Sequence, residues 1–356
     1  MTSATGTCNQ CGVNDHLTRP EEPGKAKPVF LITIDTEGDD LWSRPRAIRT
    51  ENSRFLPRFQ ALCESFGLKP TYLTNHEMAL CPVFREFGRE ALRKGSAEIG
   101  MHLHAWNSPP LVPLTDDDDR HQPYLIDFPV ELIRAKIAAI TDLLEETFDT
   151  PMRSHRAGRW AMDARYVRAL AERGYTVDCS VTPHFDWRKQ PGAPLGGGGS
   201  DYRRFPELPY FIDPDDISRP GSSPLLEVPV TIMLNDSVPG RLLRALAGEQ
   251  TLARRLFKPL CPTSSWLRPQ RGNLRAMVNL LRRALREQRP CVEFILHSSE
   301  LMPGANPAFR TPGDIERLYR DMGILFAAAG EHFRGATLQE FAVEFSSRRM
   351  AHSGQS

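Results

Sequence analysis

Short apolar runs alternate with amphipathic segments along most of the chain. The run 28–34 (PVFLITI) is apolar and β-branched, which is typical of a strand buried on both faces. Further strands are predicted at 70–74, 97–102, 152–156, 175–181, 225–233 and 292–296. Apolar residues at helical spacing predict helices at 53–66, 82–94, 129–147, 163–173, 274–286 and 312–329, with a last helix that begins near Phe341.

This alternation of strand and helix indicates parallel βαβ units, and therefore an α/β sheet or barrel. The chain has 356 residues and shows no internal repeat and no linker between two cores. We therefore expect one domain over residues 28–346, a disordered polar leader over 1–27 and a loose tail over 347–356.

Composition restricts the possible classes of protein. The formal net charge is +1, which together with the absence of a recognition motif disfavours a nucleic-acid partner. No apolar run approaches the ~18 residues of a membrane span, and the first 28 residues lack the apolar core of a secretory signal. Seven scattered cysteines, among them a lone CxxC at Cys8 and Cys11, suit reduced thiols. We expect a cytoplasmic protein whose arginine-rich stretch 241–289 is a solvated face or touches anionic lipid.

Polar side chains collect where the predicted strands end, which is where parallel barrels carry their chemistry. Asp35 and Glu37 follow the first strand, and His102 and His104 end the third. Side chains at i and i+2 of an extended chain point to the same side, so each pair can reach one ion. Carboxylate and imidazole ligands together favour a divalent metal over solvated acids and a structural histidine. One of the two acids can instead act as a base.

Three more strand ends carry polar residues. His297 can act as general acid toward a leaving amine, or simply bond to backbone. Arg156 pairs with a surface acid or, if it is buried beside Asp35, keeps that carboxylate ionised and oriented. Asp178 can likewise keep the imidazole of His297 charged and oriented. Asp39 and Asp40 are spare metal ligands or helix caps. The acidic run 116–119 is predicted to be solvated surface, with cation binding as the alternative.

In this order, five segments resemble the motifs of the polysaccharide deacetylase family: 33–37 (TIDTE), 98–104 (EIGMHLH), 155–158 (HRAG), 178–180 (DCS) and 295–297 (ILH). The resemblance extends over about residues 28–345 and implies a distorted (β/α) barrel of about seven parallel strands. It also implies a divalent metal ion bound by Glu37, His102 and His104. Zn²⁺ is the expected ion, with Co²⁺, Ni²⁺ or Mn²⁺ as alternatives. Asp35 would be the base, braced by Arg156.

The same resemblance makes His297 the acid, tuned by Asp178. Substrate contacts are expected from aromatic and polar residues of the rim, of the Gly-, Pro- and aromatic-rich loop 184–224 and of the arginine-rich stretch 241–289: Trp160, Ser180, Trp187, Tyr202, Trp266 and Arg268. For the tryptophans of the loop and the stretch, ordinary packing against the barrel is the alternative. The chain departs from the family in three places. Its first motif is Asp-x-Glu, Trp106 stands where the second histidine is usual, and Ala157-Gly158 replaces a proline. These departures suggest a divergent branch, most similar to deacetylase-like proteins of bacterial surface-glycan and lipopolysaccharide assembly.

The expected activity is the metal-dependent removal of an N-acetyl or other N-acyl group from a sugar or glycoconjugate. Two alternatives remain open: another C–N hydrolase on the same scaffold, such as a deformylase or ureide hydrolase, and a catalytically impaired glycan-binding protein. The identity of the hydrolysis product distinguishes the first alternative from the expected deacetylase. Metal content distinguishes the second alternative from it.

Overall fold

The computed structural model describes residues 27–190, 198–235 and 264–353. The predicted leader with Cys8 and Cys11, and the part of the arginine-rich stretch before Ser264, lie outside these residues.

Seven parallel strands form the centre of the fold, in the spatial order β10-β1-β2-β3-β4-β5-β7. Their bounds are β1 Val29–Thr36, β2 Pro70–Thr74, β3 Glu98–Leu103, β4 Ser154–Ala157, β5 Val177–Asp178, β7 Leu226–Glu227 and β10 Cys291–His297. Strand β6 (Tyr210–Phe211) pairs antiparallel with β7, and β11 (Arg334–Gly335) pairs parallel with β1. Strands β8 (Ile232–Leu234) and β9 (Ser264–Trp266) form a separate antiparallel pair.

The sheet curls, and its two ends are joined by hydrogen bonds instead of a regular ladder. Glu293 N donates to Thr231 Oγ1 over 2.7 Å, Leu267 N donates to Thr231 O over 3.0 Å, and Ile295 N donates to Leu267 O over 3.1 Å. The irregular chain after β7 thus meets β10. The predicted distorted α/β barrel of about seven parallel strands is confirmed.

Helices cover the outside of the sheet. Their bounds are α1 Leu56–Ser65, α2 His76–Leu80, α3 Pro82–Arg93, α4 Asp118–His121, α5 Val130–Phe148, α6 Ala164–Glu172, α7 Leu274–Arg286, α8 Pro312–His332 and α9 Leu338–Ser353. Helix α9 runs to Ser353, so the expectation of a loose tail from residue 347 is wrong over most of its length. No helix within the described ranges is long and apolar enough to cross a membrane.

Alternation along β1 separates the outer core from the barrel interior. Phe30, Ile32 and Ile34 belong to the large cluster beneath the helices. Leu31 belongs to a second cluster inside the barrel, which also contains Phe341 of α9. Since side chains two residues apart share a face, the inward row of β1 continues from Leu31 through residues 33 and 35 to the carboxyl-terminal rim. This row delivers the acids of β1 to the site described next.

Candidate active site

A pocket of about 460 Å³ opens at the carboxyl-terminal rim of the barrel. It brings together eight of the thirteen residues that the sequence nominates: Asp35, Glu37, His102, His104, Trp160, Trp187, Arg268 and His297. Three others lie elsewhere, as described below, and Arg156 and Asp178 lie beneath the rim.

The predicted metal ligands converge on one point. Nε2 of His102 and Nε2 of His104 are 2.9 Å apart, and Glu37 Oε2 lies 3.7 Å and 3.3 Å from them. All three side chains are buried. Among the described residues this is the one group of three or more His, Cys, Asp or Glu side chains whose ligand atoms come within reach of a single ion. One carboxylate and two imidazoles form a donor set typical of catalytic zinc, which leaves a further position open.

The orientation of the two imidazoles also fits a metal. His102 Nδ1 donates to the carbonyl oxygen of Arg156 over 2.9 Å, which directs its Nε2 toward His104 and Glu37. The His104 ring packs on Trp106, with ring centroids 4.3 Å apart, and its buried Nδ1 has no hydrogen-bond partner in the part of the chain that the structure describes. Burial, together with the charges of His102 and Arg159, lowers the pKa of His104 well below its usual value. The neutral form that results is the one that binds metals.

Asp35 is held by a buried guanidinium. Arg156 Nη1 donates to Asp35 Oδ1 over 2.6 Å, and the arginine is fully buried. Burial alone would raise the pKa of this carboxyl, but the charges of Arg156, His102 and His297 outweigh burial and lower it. Asp35 is therefore ionised, as a base requires.

His297 lies beside Asp35 because β10 and β1 pair in parallel with these two residues in register. Its Nε2 is 3.5 Å from Asp35 Oδ2 and 3.9 Å from Glu37 Oε1. On the other side of the ring, Arg268 Nη2 lies 2.9 Å from Nδ1 and 2.7 Å from Glu300 Oε1. Arg268 therefore occupies the place where a partner acid was expected.

The expectation that Asp178 tunes His297 is wrong. Asp178 Oδ1 lies 2.5 Å from Nδ1 of His155, which neighbours it across β4 and β5. Burial raises the pKa of Glu227, and the nearby Asp178 adds to the shift, while the hydrogen bond from His155 keeps the pKa of Asp178 low. This fully buried network braces the strands beneath the rim.

Three predicted substrate contacts do not line the pocket. Ser180 is buried, where it donates to Asp178 and accepts from Ala157 N. Tyr202 is buried and its hydroxyl donates to the carbonyl oxygen of Trp160. Trp266 packs edge-on against Phe185 and Trp160, with ring centroids 4.8 Å and 6.4 Å apart. These residues support the pocket wall from behind.

The loop acids have structural roles. Asp39 accepts hydrogen bonds from the backbone of Glu51 and Asn52 at the start of a short 3₁₀ helix, as the capping alternative predicts. The run 116–119 is not merely solvated: Asp117 caps α4, and the partly buried Asp119 contacts Arg159 at 3.3 Å and Arg44 at 3.8 Å.

Glu293 is an important residue that sequence reasoning missed. Its Oε1 accepts from Arg156 and from Thr33 Oγ1, so one guanidinium serves two carboxylates. Burial raises the pKa of Glu293 to about 7, although Arg156 opposes that shift. A signal existed in the sequence: Glu293 is the one charged residue of an apolar strand, and it shares a face with His297. Other pocket-lining residues that were missed are Leu41, Arg44, Trp106, Tyr124, Arg159 and Gln190.

No protein-family model matches the sequence, and no curated protein matches it. The structure aligns with a protein assigned as a polysaccharide deacetylase in Mycobacterium smegmatis at a TM-score of 0.50 and 14% identity, over 93% of this chain and 95% of the other. It aligns with the Xyl-CE4 domain of a multidomain xylanase from the hindgut metagenome of Trinervitermes trinervoides at a TM-score of 0.42 and 10% identity, over 90% of this chain and 92% of the other. A CE4 family pseudoenzyme from Bacillus anthracis aligns at a TM-score of 0.39 and 10% identity, over 90% of this chain and 66% of the other.

The first of these alignments shows that the chain has a polysaccharide deacetylase fold. The resemblance recognised in the sequence is thereby confirmed at the level of fold.

Proposed function

We propose that the protein is a metal-dependent amidohydrolase that removes an N-acetyl or related N-acyl group from a sugar or glycoconjugate and releases the acid and a free amine. One observation carries the proposal. A buried Glu-His-His group that can hold one ion lies directly beside Asp35, whose ionised form is secured by Arg156.

Glu37, His102 and His104 would hold the ion, which is Zn²⁺ or, as alternatives, Co²⁺, Ni²⁺ or Mn²⁺. When bound, such an ion lowers the pKa of a water molecule and polarises the acyl carbonyl group.

The chain's own residues handle the protons. Asp35 takes a proton from the attacking water, and the leaving nitrogen needs one because an amide nitrogen leaves poorly as an anion. A guanidinium can only donate, so Nδ1 of His297 accepts from Arg268 and the ring proton lies on Nε2. Nε2 faces Asp35. In this neutral form His297 can donate a hydrogen bond to the leaving nitrogen but cannot give up its last ring proton, so the newly protonated Asp35 returns the proton instead of the expected acid His297.

The pocket walls suit a sugar. Trp106, Trp160 and Trp187 line the pocket and are partly buried, so their rings remain accessible to a ligand. The flat faces of indole rings pack well against apolar faces of small molecules, and a few polar groups then fix the orientation.

We further propose a reducing, cytoplasmic location. Cys63, Cys81, Cys179 and Cys291 are buried thiols that form no disulfide within the described part of the chain, which supports the proposal.

Metal analysis and product analysis together test the proposed activity. Purified, tag-free protein should contain about one ion per chain and release acetate from N-acetylated sugars. Asp35→Asn and His297→Ala should each lower kcat by roughly 10²–10⁴-fold while the melting temperature stays near that of the wild type.

Three outcomes would contradict the proposal in different ways. Formate or a ring-opened ureide in place of acetate would indicate another C–N hydrolase. Protein that neither contains nor takes up a metal would indicate the impaired glycan-binding alternative. Near wild-type kcat in Asp35→Asn would remove the assigned base.

A further inference from the structure

Two arginines at the pocket share one carboxylate. Arg159 Nη2 donates to Asp119 Oδ1 over 3.3 Å, and Arg44 Nε lies 3.8 Å from Asp119 Oδ2. Both arginines line the pocket, whereas Asp119 does not. One carboxylate cannot neutralise two guanidinium groups, so this wall of the pocket carries surplus positive charge.

The neighbouring acids of the same run do not remove that surplus by direct pairing. Asp118 accepts from the backbone of Leu114 and Thr115, and Asp117 caps the short helix α4. The Arg44 side chain is about half exposed, and within the described part of the chain it makes no hydrogen bond. Each guanidinium has five N–H donors, so most donors of Arg44 and Arg159 remain available to a ligand.

The backbone holds these residues in an uncommon conformation. Arg44, Arg159 and Trp160 line the pocket and have φ angles of 53°, 54° and 60°, in the left-handed region that non-glycine residues rarely adopt. Such outliers persist where the surrounding structure enforces them, and they concentrate at ligand sites. Gly158 allows the turn, because a Cβ there would lie 2.5 Å from the carbonyl oxygen of Leu103.

Arg159 is close to the candidate metal site. Its guanidinium lies 5.4 Å from the centre of the Trp106 ring, and that ring packs on His104. A group bound by Arg159 is therefore one aromatic ring away from a metal ligand, a separation that suits an anionic group and an N-acyl group on one small substrate.

From this geometry we infer that the substrate of the proposed reaction is an anionic sugar, whose phosphate or carboxylate binds to Arg44 and Arg159. Planar guanidinium groups match both oxyanions, since their paired N–H donors face two oxygens. The inference rests on the proposed N-deacylase activity but adds the charge of the substrate and the side chains that select it. The competing explanation is that both arginines only hold the loop of Asp119 in place.

The test compares matched neutral and charged sugars on the metal-loaded full chain. Acetate release is measured with N-acetylglucosamine, with its 1-phosphate and with N-acetylglucosaminuronic acid. We expect kcat/KM for at least one charged sugar to exceed that for the neutral sugar by about 10-fold or more, because hydrogen bonds to a charged group contribute a factor of that size. Whichever charged sugar is preferred identifies phosphate or carboxylate as the recognised group.

Arg44→Gln and Arg159→Gln should each reduce the charged-to-neutral ratio of kcat/KM by about 10-fold. Arg134→Gln is the matched control, because the Arg134 side chain is as exposed as that of Arg44 and its partner is Glu172 on the neighbouring helix α6. It should leave the ratio unchanged. Equal kcat/KM for neutral and charged sugars, or an equal loss for both in the two variants, would overturn the inference and leave the deacylase activity standing.

A binding measurement separates this inference from the activity itself. If no sugar releases acetate, calorimetric titration with N-acetylglucosamine 1-phosphate and with the uronic acid decides whether the two arginines recognise the anionic group. If either charged sugar binds, and its affinity falls in Arg159→Gln but not in Arg134→Gln, the inference is supported although the proposed reaction fails. Absent binding, or equal binding in both variants, overturns it.

Discussion

Arg268 donates a hydrogen bond over 2.9 Å to Nδ1 of His297, the nitrogen that faces away from the candidate metal ligands. The same Nη2 atom contacts Glu300 Oε1 at 2.7 Å, so the guanidinium is itself held in place. A carboxylate at this position would accept a hydrogen bond from Nδ1–H and favour the imidazolium form. An arginine reverses the polarity and leaves the ring proton on Nε2, beside Asp35.

Arg268→Gln is therefore expected to lower kcat by about 10–100-fold, with a smaller change in KM, because a shorter, neutral side chain replaces the charged donor that fixes the tautomer of the His297 ring. Steady-state kinetics and metal analysis would check this, and the metal content should not change. Arg268→Lys should recover part of the rate, since it restores a charged donor. Arg271→Gln is the control, because Arg271 contacts Asp314 and lies outside the pocket. Wild-type kcat in Arg268→Gln would contradict the role.

Removal of either imidazole from the Glu-His-His group should abolish stoichiometric metal binding. Even residues that only hydrogen-bond to metal ligands are worth about 10–100-fold in metal affinity, so loss of a ligand in His102→Ala or His104→Ala should cost more. Metal content after dialysis and the metal-dependent rise in melting temperature would check this. His332→Ala, a histidine at the end of α8, serves as the control. Retention of one ion per chain in His102→Ala would place the metal elsewhere.

Gly158 tests how tightly the rim is built. A Cβ at this position would lie 2.5 Å from His104 Cδ2 and 2.5 Å from the carbonyl oxygen of Leu103, and the latter is a backbone atom that cannot swing away. Gly158→Ala should therefore cost about 1–3 kcal/mol of stability and weaken metal binding by displacing His104. Gly323→Ala in α8 meets no atom within 4 Å and should be neutral or stabilising. Urea denaturation and metal titration of both variants measure these effects. Unchanged metal affinity in Gly158→Ala would show that the rim accommodates the added methyl group without displacing His104.

Residues that depend on strand periodicity were accessible from sequence, and residues that depend on packing across the barrel were not. The i, i+2 spacing places the side chains of Asp35 and Glu37 on one side, and β1 and β10 pair with Asp35 next to His297. Nothing local indicates that Asp178 faces His155, because that contact depends on the register of β4 and β5. The left-handed Arg159 is equally hidden, since single-sequence patterns do not report φ angles.

Glu293 should give the stability of the protein a distinctive dependence on pH. Its pKa is raised from about 4.5 to about 7 because burial and the charge of the nearby Asp35 outweigh the opposing charge of Arg156, which Glu293 shares with Asp35. Among the described residues its Oε2 has no hydrogen-bond partner, which costs less in the protonated acid than in the carboxylate. Between these two pKa values the folded protein binds a proton that the unfolded chain has lost. The contribution of Glu293 is therefore fully present below about pH 4.5 and is lost as the pH rises to about 7.

Glu293→Gln mimics the protonated acid and should remove this dependence. Relative to the wild type, its free energy of unfolding should rise by about 1–3 kcal/mol between about pH 5 and pH 8. Urea denaturation at several pH values measures the difference, which cancels groups that titrate in both proteins. Glu316→Gln, which removes an exposed partner of Arg58, should run parallel to the wild type. If Glu293→Gln also runs parallel, Glu293 is ionised in the folded protein, and Arg156 then neutralises two carboxylates at once.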